Sequence, residues 1–200
     1  IALSGLAVFW AAGLSLRDIA LVAFLGILAL GTLFYTQPHV RERIITFMNP
    51  AQEKRGQGYQ INQSLIAIGS GGFAGRGFGQ GLQKFTYLPE PMGDSIFAVA
   101  AEEIGFIGAV IIILLFLAIA LRGFFIAARA ADPFGAYAAS GIAAYLGAEA
   151  FINIASMLGL APLTGIPLPF VSQGGSAMLV SLASVGILLS ISRTKRNSEH

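Results

Sequence analysis

Long uncharged apolar runs follow one another along this chain, separated by polar connections. A bilayer core needs ~20 mostly apolar residues per helix. Residues 1–16 carry no charge and read as the end of a membrane span. Arg17–Asp18 forms a polar turn, and residues 19–37 are uncharged over a full span length. Residues 95–121 make the next run, with Glu102 and Glu103 near its start. Residues 134 to about 160, interrupted by Glu149, and the short run 177–192 complete the set. The runs do not alternate, as the ~10-residue strands of an outer-membrane barrel would. The pattern predicts an all-α polytopic helical membrane protein with about five transmembrane helices, four complete and one truncated. A single membrane domain covers 1–200.

Residues 38–94 form one large connection, and a loop of that length is uncommon unless it is functional. Residues 40–48 set Ile44, Ile45, Phe47 and Met48 against Arg41, Glu42 and Arg43, the pattern of a short amphipathic helix on a membrane surface. Asn49–Pro50 ends it. Residues 61–68 carry a second short helical pattern, and residues 69–81 hold seven glycines. Tyr87-Leu88-Pro89-Glu90-Pro91-Met92-Gly93-Asp94 then reads as a rigid turn delivering an acid to the start of a span. Sidedness comes from charge density in short connections. Arg17, Arg122, Arg129, Arg193, Lys195 and Arg196 crowd one side, whereas Arg41, Arg43, Lys54, Arg55, Arg76 and Lys84 are spread over a long stretch. The expectation is a cytoplasmic tail and an extracytoplasmic loop over 38–94, with residues 161–176 on the same outer side.

Composition sharpens this reading. The 200 residues are 56% hydrophobic and 11% charged, with a mean hydropathy of +0.76, far too little charge for a water-exposed surface. Twelve basic and ten acidic residues leave a net charge of +2, which makes nucleic acid a poor partner. No cysteine is present, so disulfides and thiolate sites are out. His39 and His200 have no partner at zinc-ligand spacing, so no metal ligand set is expected. The chain opens on Ile1 inside an apolar run, as a piece of a longer protein would.

Several residues carry competing readings. Gly69-Ser70-Gly71-Gly72-Phe73-Ala74 fits a dinucleotide fingerprint, but no strand–turn–helix pattern surrounds it. Glycines that let backbone pack closely or approach phosphates suit it better. Asp94 either N-caps the following span or serves as a general base at the membrane boundary, with Glu90 near enough to raise the pKa of one of the pair. Glu102 and Glu103 are intramembrane acids, functional candidates or contacts to another helix. Glu149, with Asn153 one turn on, is expected to face the bundle interior as a neutral hydrogen-bond donor. Arg76 and Lys84 either hold lipid phosphates or are solvated loop charges. Ser172-Gln173-Gly174-Gly175-Ser176, after three prolines, reads as a re-entrant turn toward the Asp94 face.

Four motif groups together resemble the SEDS family. They are Gly58-Tyr59-Gln60 with Gln63 to Gly72; Tyr87-Leu88-Pro89-Glu90 with Asp94; Phe97-Ala98-Val99 with Glu102-Glu103 and Gly105-Phe106; and Pro162-Leu163-Thr164-Gly165 with Pro167 to Ser172. The spelling Gly79-Gln80, Gln83-Lys84, Tyr87-Leu88-Pro89 is nearer the FtsW branch than the RodA branch. The resemblance covers essentially the whole chain and implies helices six to ten of a ten-helix peptidoglycan glycosyltransferase that polymerises lipid II in the bacterial inner membrane. It places the family's essential aspartate at Asp94. Arg76, Lys84, Glu90, Gln63 and Ser172 are the expected substrate-binding residues. A divalent cation, Mg or Mn, is the expected cofactor, with no organic cofactor. A class B penicillin-binding transpeptidase, other divisome proteins and membrane lipid are the expected partners. Gln173 stands where the family usually has Tyr, and Pro91-Met92-Gly93 replaces a common Ala-His-Thr. A lipid II flippase is the alternative reading, since a cavity with intramembrane acids serves either activity.

Overall fold

The structure is a computed structural model that describes residues 2–48, 56–86 and 88–194. Asn49–Pro50, Lys54, Arg55, Tyr87, Lys195, Arg196 and His200 lie outside the described residues. Among the described residues eight helices follow one another: α1 (Ala2–Ala11), α2 (Leu16–Thr36), α3 (Pro38–Met48), α4 (Gln57–Ser70), α5 (Gln83–Thr86), α6 (Ile96–Ala128), α7 (Pro133–Met157) and α8 (Gly175–Arg193). Four of them, α2, α6, α7 and α8, are long and apolar enough to cross a membrane, and α1 is a shorter apolar helix. This is the expected count of four spans and one truncated one.

Two boundaries differ from the reading of the sequence. Arg17 and Asp18 belong to the first turn of α2 and do not form the turn before it. Ser15 caps α2 by accepting the Asp18 N–H at 3.3 Å, and Asp18 sits at the helix end that favours negative charge. The third span runs on through Arg122 to Ala128, because one arginine is a good helix former and nothing after it breaks the turn. The connection to α7 shrinks accordingly. Asp132 caps α7 by accepting the Gly135 N–H at 2.9 Å, with Pro133 in the first turn.

α6 and α7 form the central pair, joined through small residues. Gly123 and Gly147 stand where a Cβ would run into Ala143 and Ala120 across the interface, which is how membrane helices approach closely without a hydrophobic driving force between them. α1 packs on α7, with Val8 against Gly141. The buried cluster of Phe97, Ala101, Phe116, Ala150, Ile154 and Met157 is closed on one side by Ile61 of α4 and by Leu163 and Leu168 of the connection before α8. α2 has no buried residue among those described and packs mainly on α1 and α3. α3 is the amphipathic helix expected, with Ile44 and Phe47 half-buried and Arg41, Glu42 and Arg43 exposed.

α6 is broken at Gly105, where φ is 71° and ψ −171°. The break frees the Glu102 and Glu103 carbonyls and the Phe106 and Ile107 N–H groups from their helical partners. The glycine-rich segment takes all four. Arg76 and Gly77 N–H groups donate to the Glu102 and Glu103 carbonyls, each at 3.0 Å, while Phe106 and Ile107 donate to the Gly72 and Phe73 carbonyls at 2.8 and 3.3 Å. In lipid such groups must be satisfied internally. The glycines are therefore structural and not a dinucleotide fingerprint: Gly69 lies in the last turn of α4, not after a strand. A Cβ on Gly75, at φ 81°, would overlap the Glu103 carbonyl oxygen, whereas Gly79, also at φ 81°, has open space around it. In the full-length protein, Gly75→Ala should cost about 3 kcal/mol, from backbone strain and two lost hydrogen bonds. Gly79→Ala should cost only the strain, ~1–2 kcal/mol. Thermal midpoints in detergent check the difference, and equal midpoints would contradict this account of the insertion.

Candidate functional site

The site is built where the segment before α6 meets α4, α7 and the connection before α8. Pro89 and Pro91 stiffen that segment, and Glu90 adopts a left-handed turn at φ 48°. Its carbonyl accepts the Gly93 N–H at 3.0 Å, closing the turn. Three consecutive carbonyls, those of Met92, Gly93 and Asp94, are then captured one after another. Met92 O accepts from the Gln173 N–H at 2.7 Å. Gly93 O accepts from the Ser172 hydroxyl at 2.6 Å. Asp94 O accepts from Asn153 Nδ2 at 2.8 Å. Asn153 is completely buried, and its amide also donates to the Ile166 carbonyl at 2.7 Å. The Ser172 hydroxyl in turn accepts the Leu168 N–H at 2.7 Å.

These bonds hold the Asp94 backbone, and Gln60 holds its side chain. Gln60 Nε2 donates to Asp94 Oδ1 at 3.1 Å and to the Ser95 hydroxyl at 3.0 Å. The Ser95 hydroxyl spends its hydrogen on the Pro89 carbonyl at 2.9 Å. Asp94 is not the cap of α6: Ser95 occupies that position, without a side-chain capping bond. The Asp94 carboxylate is half-buried, and Oδ2 makes no hydrogen bond among the described residues. Burial pushes its pKa above the ordinary 3.8, and the nearby Glu90 charge pushes the same way, while the Gln60 hydrogen bond pulls it back. A half-buried carboxylate with one oxygen free and a raised pKa can take a proton from a hydroxyl.

A second cluster lies about 10 Å further along α6 by helical rise. Glu102 is completely buried. It accepts the Leu82 and Gln83 N–H groups at 3.0 and 3.2 Å, with Arg76 Nε 3.8 Å away. Glu103 pairs with Lys84, whose ammonium also lies 5.0 Å from the Phe85 ring centroid. The two intramembrane acids thus grip the glycine-rich segment rather than another spanning helix. Arg76 also donates to the Ser70 carbonyl at 3.3 Å, yet its side chain is 40% exposed. Gln63 is half-buried on α4, about one turn from Gln60, and Glu90 is exposed beside Asp94. Glu149 and Tyr145 are hydrogen-bonded and line a cleft between α1 and α7, so Glu149 is less enclosed than Asn153. An apolar cleft of about 440 Å³ opens beside the glycine-rich segment, lined by Ile68, Phe73, Phe97, Phe106, Val110 and Leu158.

Gln60 and Ser95 are site residues whose link to Asp94 the sequence does not show, although Gln60 lies within a family motif. Gln60 lies 34 positions before Asp94, and no local periodicity links them. Among the described residues no three His, Asp or Glu side chains gather at metal-ligand distances.

The fold and site define a polytopic helical membrane protein with an acid held at the end of a broken span. The FtsW/RodA/SpoVE family, described as "cell cycle protein", matches residues 1–197, and the chain belongs to that family. It is 46% identical over 181 residues to stage V sporulation protein E of Bacillus subtilis, covering 89% of this chain and 50% of that protein. It is 43% identical over 189 residues to the probable peptidoglycan glycosyltransferase FtsW of Geobacter sp. (strain M18), covering 94% and 52%. With peptidoglycan glycosyltransferase MrdB of Escherichia coli K12 it is 42% identical over 194 residues, covering 96% and 52%. The chain spans about half the length of the curated relatives it matches, and the three names stand too close in identity to separate the family's branches. Among solved structures, a chain described under "structural coordination of polymerization and crosslinking by a peptidoglycan synthase complex" is similar with a TM-score of 0.75 at 30% identity, covering 98% of this chain and 55% of that one. A mutant of the Thermus thermophilus rod shape determining protein RodA shares the fold at a TM-score of 0.53 and 24% identity, covering 98% and 65%.

The lacing of Asp94 separates side-chain from backbone donors. Asn153→Leu leaves the Asp94 and Ile166 carbonyls unpaired, and Ser172→Ala leaves the Gly93 carbonyl and the Leu168 N–H unpaired, so each should cost about 2–5 kcal/mol in the full-length protein. Gln173→Ala should be near neutral, because that bond comes from the backbone N–H. Equal losses in all three thermal midpoints would refute this assignment.

Proposed function

We propose that the protein polymerises lipid II into glycan strands, with Asp94 as the general base. The observation that carries this is the half-buried Asp94 carboxylate, fixed through its backbone and through Gln60 with Oδ2 left free, in a chain of this family. Asp94 takes the proton of the acceptor sugar's 4-hydroxyl as that oxygen attacks the anomeric carbon of the growing chain. The bond from that carbon to the lipid diphosphate breaks, and the diphosphate leaves with the electron pair. Arg76, with its exposed guanidinium, and Lys84 stabilise the departing charge. Glu90 and Gln63 flank Asp94 and contact sugar. Ser172 serves by fixing Gly93, since its hydroxyl both donates and accepts within the protein. The apolar cleft beside the glycine-rich segment suits a lipid tail, which supports a membrane-bound substrate. A divalent cation, where one takes part, would be held largely by the substrate's phosphates, as Mg²⁺ commonly is. A class B penicillin-binding transpeptidase is the proposed partner and the bacterial inner membrane the proposed location. The 200-residue chain alone is proposed to be inactive, because half of the bundle that holds donor and acceptor is missing.

Asp94→Asn keeps size and shape but removes the base. In full-length protein it should express normally and lose ~10²–10⁴ in polymerisation rate, measured with purified lipid II. Near-normal polymer would remove Asp94 from this role. Gln60→Leu should move the acid limb of the wild-type pH–rate profile to higher pH, because it deletes a bond that favours the charged carboxylate. The sign for stability is linked. A native pKa above the ordinary 3.8 means that stability declines as pH rises from that value through the raised one.

Sidedness is tested separately. Single cysteines at Gln57 and Ala131 in the full-length protein, treated with a membrane-impermeant thiol reagent on intact cells with a permeable outer envelope, should label at 57 and not at 131. The reverse pattern would invert the topology.

A further inference from the structure

At the far end of α6 from Asp94, a pocket of about 610 Å³ lies between α6 and the end of α8. Arg122, Phe125, Arg129, Ile191, Ser192 and Thr194 are among its walls. The two guanidinium groups share one aromatic ring: Arg129 Cζ lies 3.9 Å and Arg122 Cζ 5.3 Å from the Phe125 centroid. Cation–π attraction holds each one, yet it also holds two like charges close together. Among the described residues neither forms an ion pair. The nearby acid, Asp132, is engaged in capping α7 through the Gly135 N–H. Arg193 closes α8 beside the same pocket.

The depth of this pocket follows from α6 itself. Exposed apolar side chains run along it from Phe106 through Ile111, Leu114, Leu117 and Leu121 to Phe125. That band is about 28 Å long by helical rise, close to the ~30 Å thickness of a bilayer core. On α8 the exposed apolar side chains end at Leu189, and Ser190, Ser192, Arg193 and Thr194 follow. Arg129 therefore stands at head-group level, and Arg122, one turn inside the end of the band, can bring its guanidinium to that level along its long side chain, with Phe125, Ile126 and Ile191 forming an apolar wall beside them.

We propose that this pocket binds the phosphodiester head group of an anionic phospholipid. The phosphate relieves the repulsion between Arg122 and Arg129, and two forked donors match its oxygens. The apolar wall takes the glycerol and upper acyl chains, which a free phosphate would leave uncovered. This site is separate from the Asp94 site and does not depend on the proposed reaction.

Native mass spectrometry of the full-length protein in detergent, titrated with dioleoylphosphatidylglycerol or dioleoylphosphatidylcholine, tests it. Each basic residue near an anionic surface is worth about fivefold in binding, so the pair is worth roughly thirtyfold. The wild type should prefer phosphatidylglycerol, Arg122→Gln/Arg129→Gln should lose roughly thirtyfold of that preference, and Arg122→Lys/Arg129→Lys should fall between the two, keeping the charge but not the forked bonds. Millimolar inorganic phosphate should leave the bound lipid in place. An unchanged preference in the glutamine variant, or displacement of the lipid by inorganic phosphate, would overturn the proposal. If the glutamine variant cannot be purified, phosphatidylglycerol with a diazirine in its acyl chain should crosslink the wild type within 122–129 or 190–194. Crosslinks confined to other segments would equally overturn it.

Discussion

Three consecutive backbone carbonyls, those of Met92, Gly93 and Asp94, are each gripped by a donor from another part of the chain. Two of those donors, Asn153 and Ser172, lie 59 and 79 residues further along. Everything around the candidate site depends on this lacing. At the edge of a bilayer an unpaired carbonyl has little water to turn to, so each bond is costly to break. The result is that a segment with no regular structure is held as firmly as a helix. Asn153 does most, because one buried amide ties Asp94 to Ile166 and so joins the start of α6, the middle of α7 and the connection before α8.

The broken span obeys the same constraint. A helix interrupted at Gly105 exposes two carbonyls and two N–H groups inside an apolar bundle. The glycine-rich segment answers all four, and it can do so only because Gly75 and Gly105 bring backbone against backbone where a Cβ would collide. Glu102 and Glu103 extend the arrangement with side chains, accepting Leu82 and Gln83 N–H groups and pairing with Lys84. These acids stand at membrane depth without being stranded, since each has its donors supplied by the loop that they anchor. The cost of burying them is thereby offset where it arises.

Charge is consequently divided between two ends. Near Asp94 the acids Glu102 and Glu103 are matched by Arg76 and Lys84, and Asp94 itself is left with a neutral partner, Gln60. That neutrality matters, because a cation against Asp94 would favour its ionised form and make it a weaker base. At the opposite end Arg122 and Arg129 have an aromatic ring and no acid among the described residues. Among the described residues, the end near Asp94 thus pairs two of its acids with cations, whereas the arginines of the other end have no acid partner.

Apolar run lengths alone were enough to read the all-helical architecture, the number of spans and the amphipathic α3, because lipid imposes its length and polarity on each segment separately. Family motifs identify the family and, by resemblance, single out Asp94 as the candidate acid. Helix ends were less readable: Arg17 and Asp18 look like a turn but open α2, and Arg122 looks like a stop but continues α6, since a single charge can snorkel or cap. The sequence brought the 172–176 turn toward the Asp94 face but did not identify the groups that bond to Asp94. Gln60, Ser95 and the amide of Asn153 reach it from separate segments, and the bond from Gln173 comes from a backbone N–H that any residue but proline would supply. Whether Asp94 was a helix cap or a poised carboxylate depended on which groups stood beside it. Those groups were decided by the packing of α4 and α7 around the turn, because hydrogen bonding and burial act through space and leave no periodic trace along the chain.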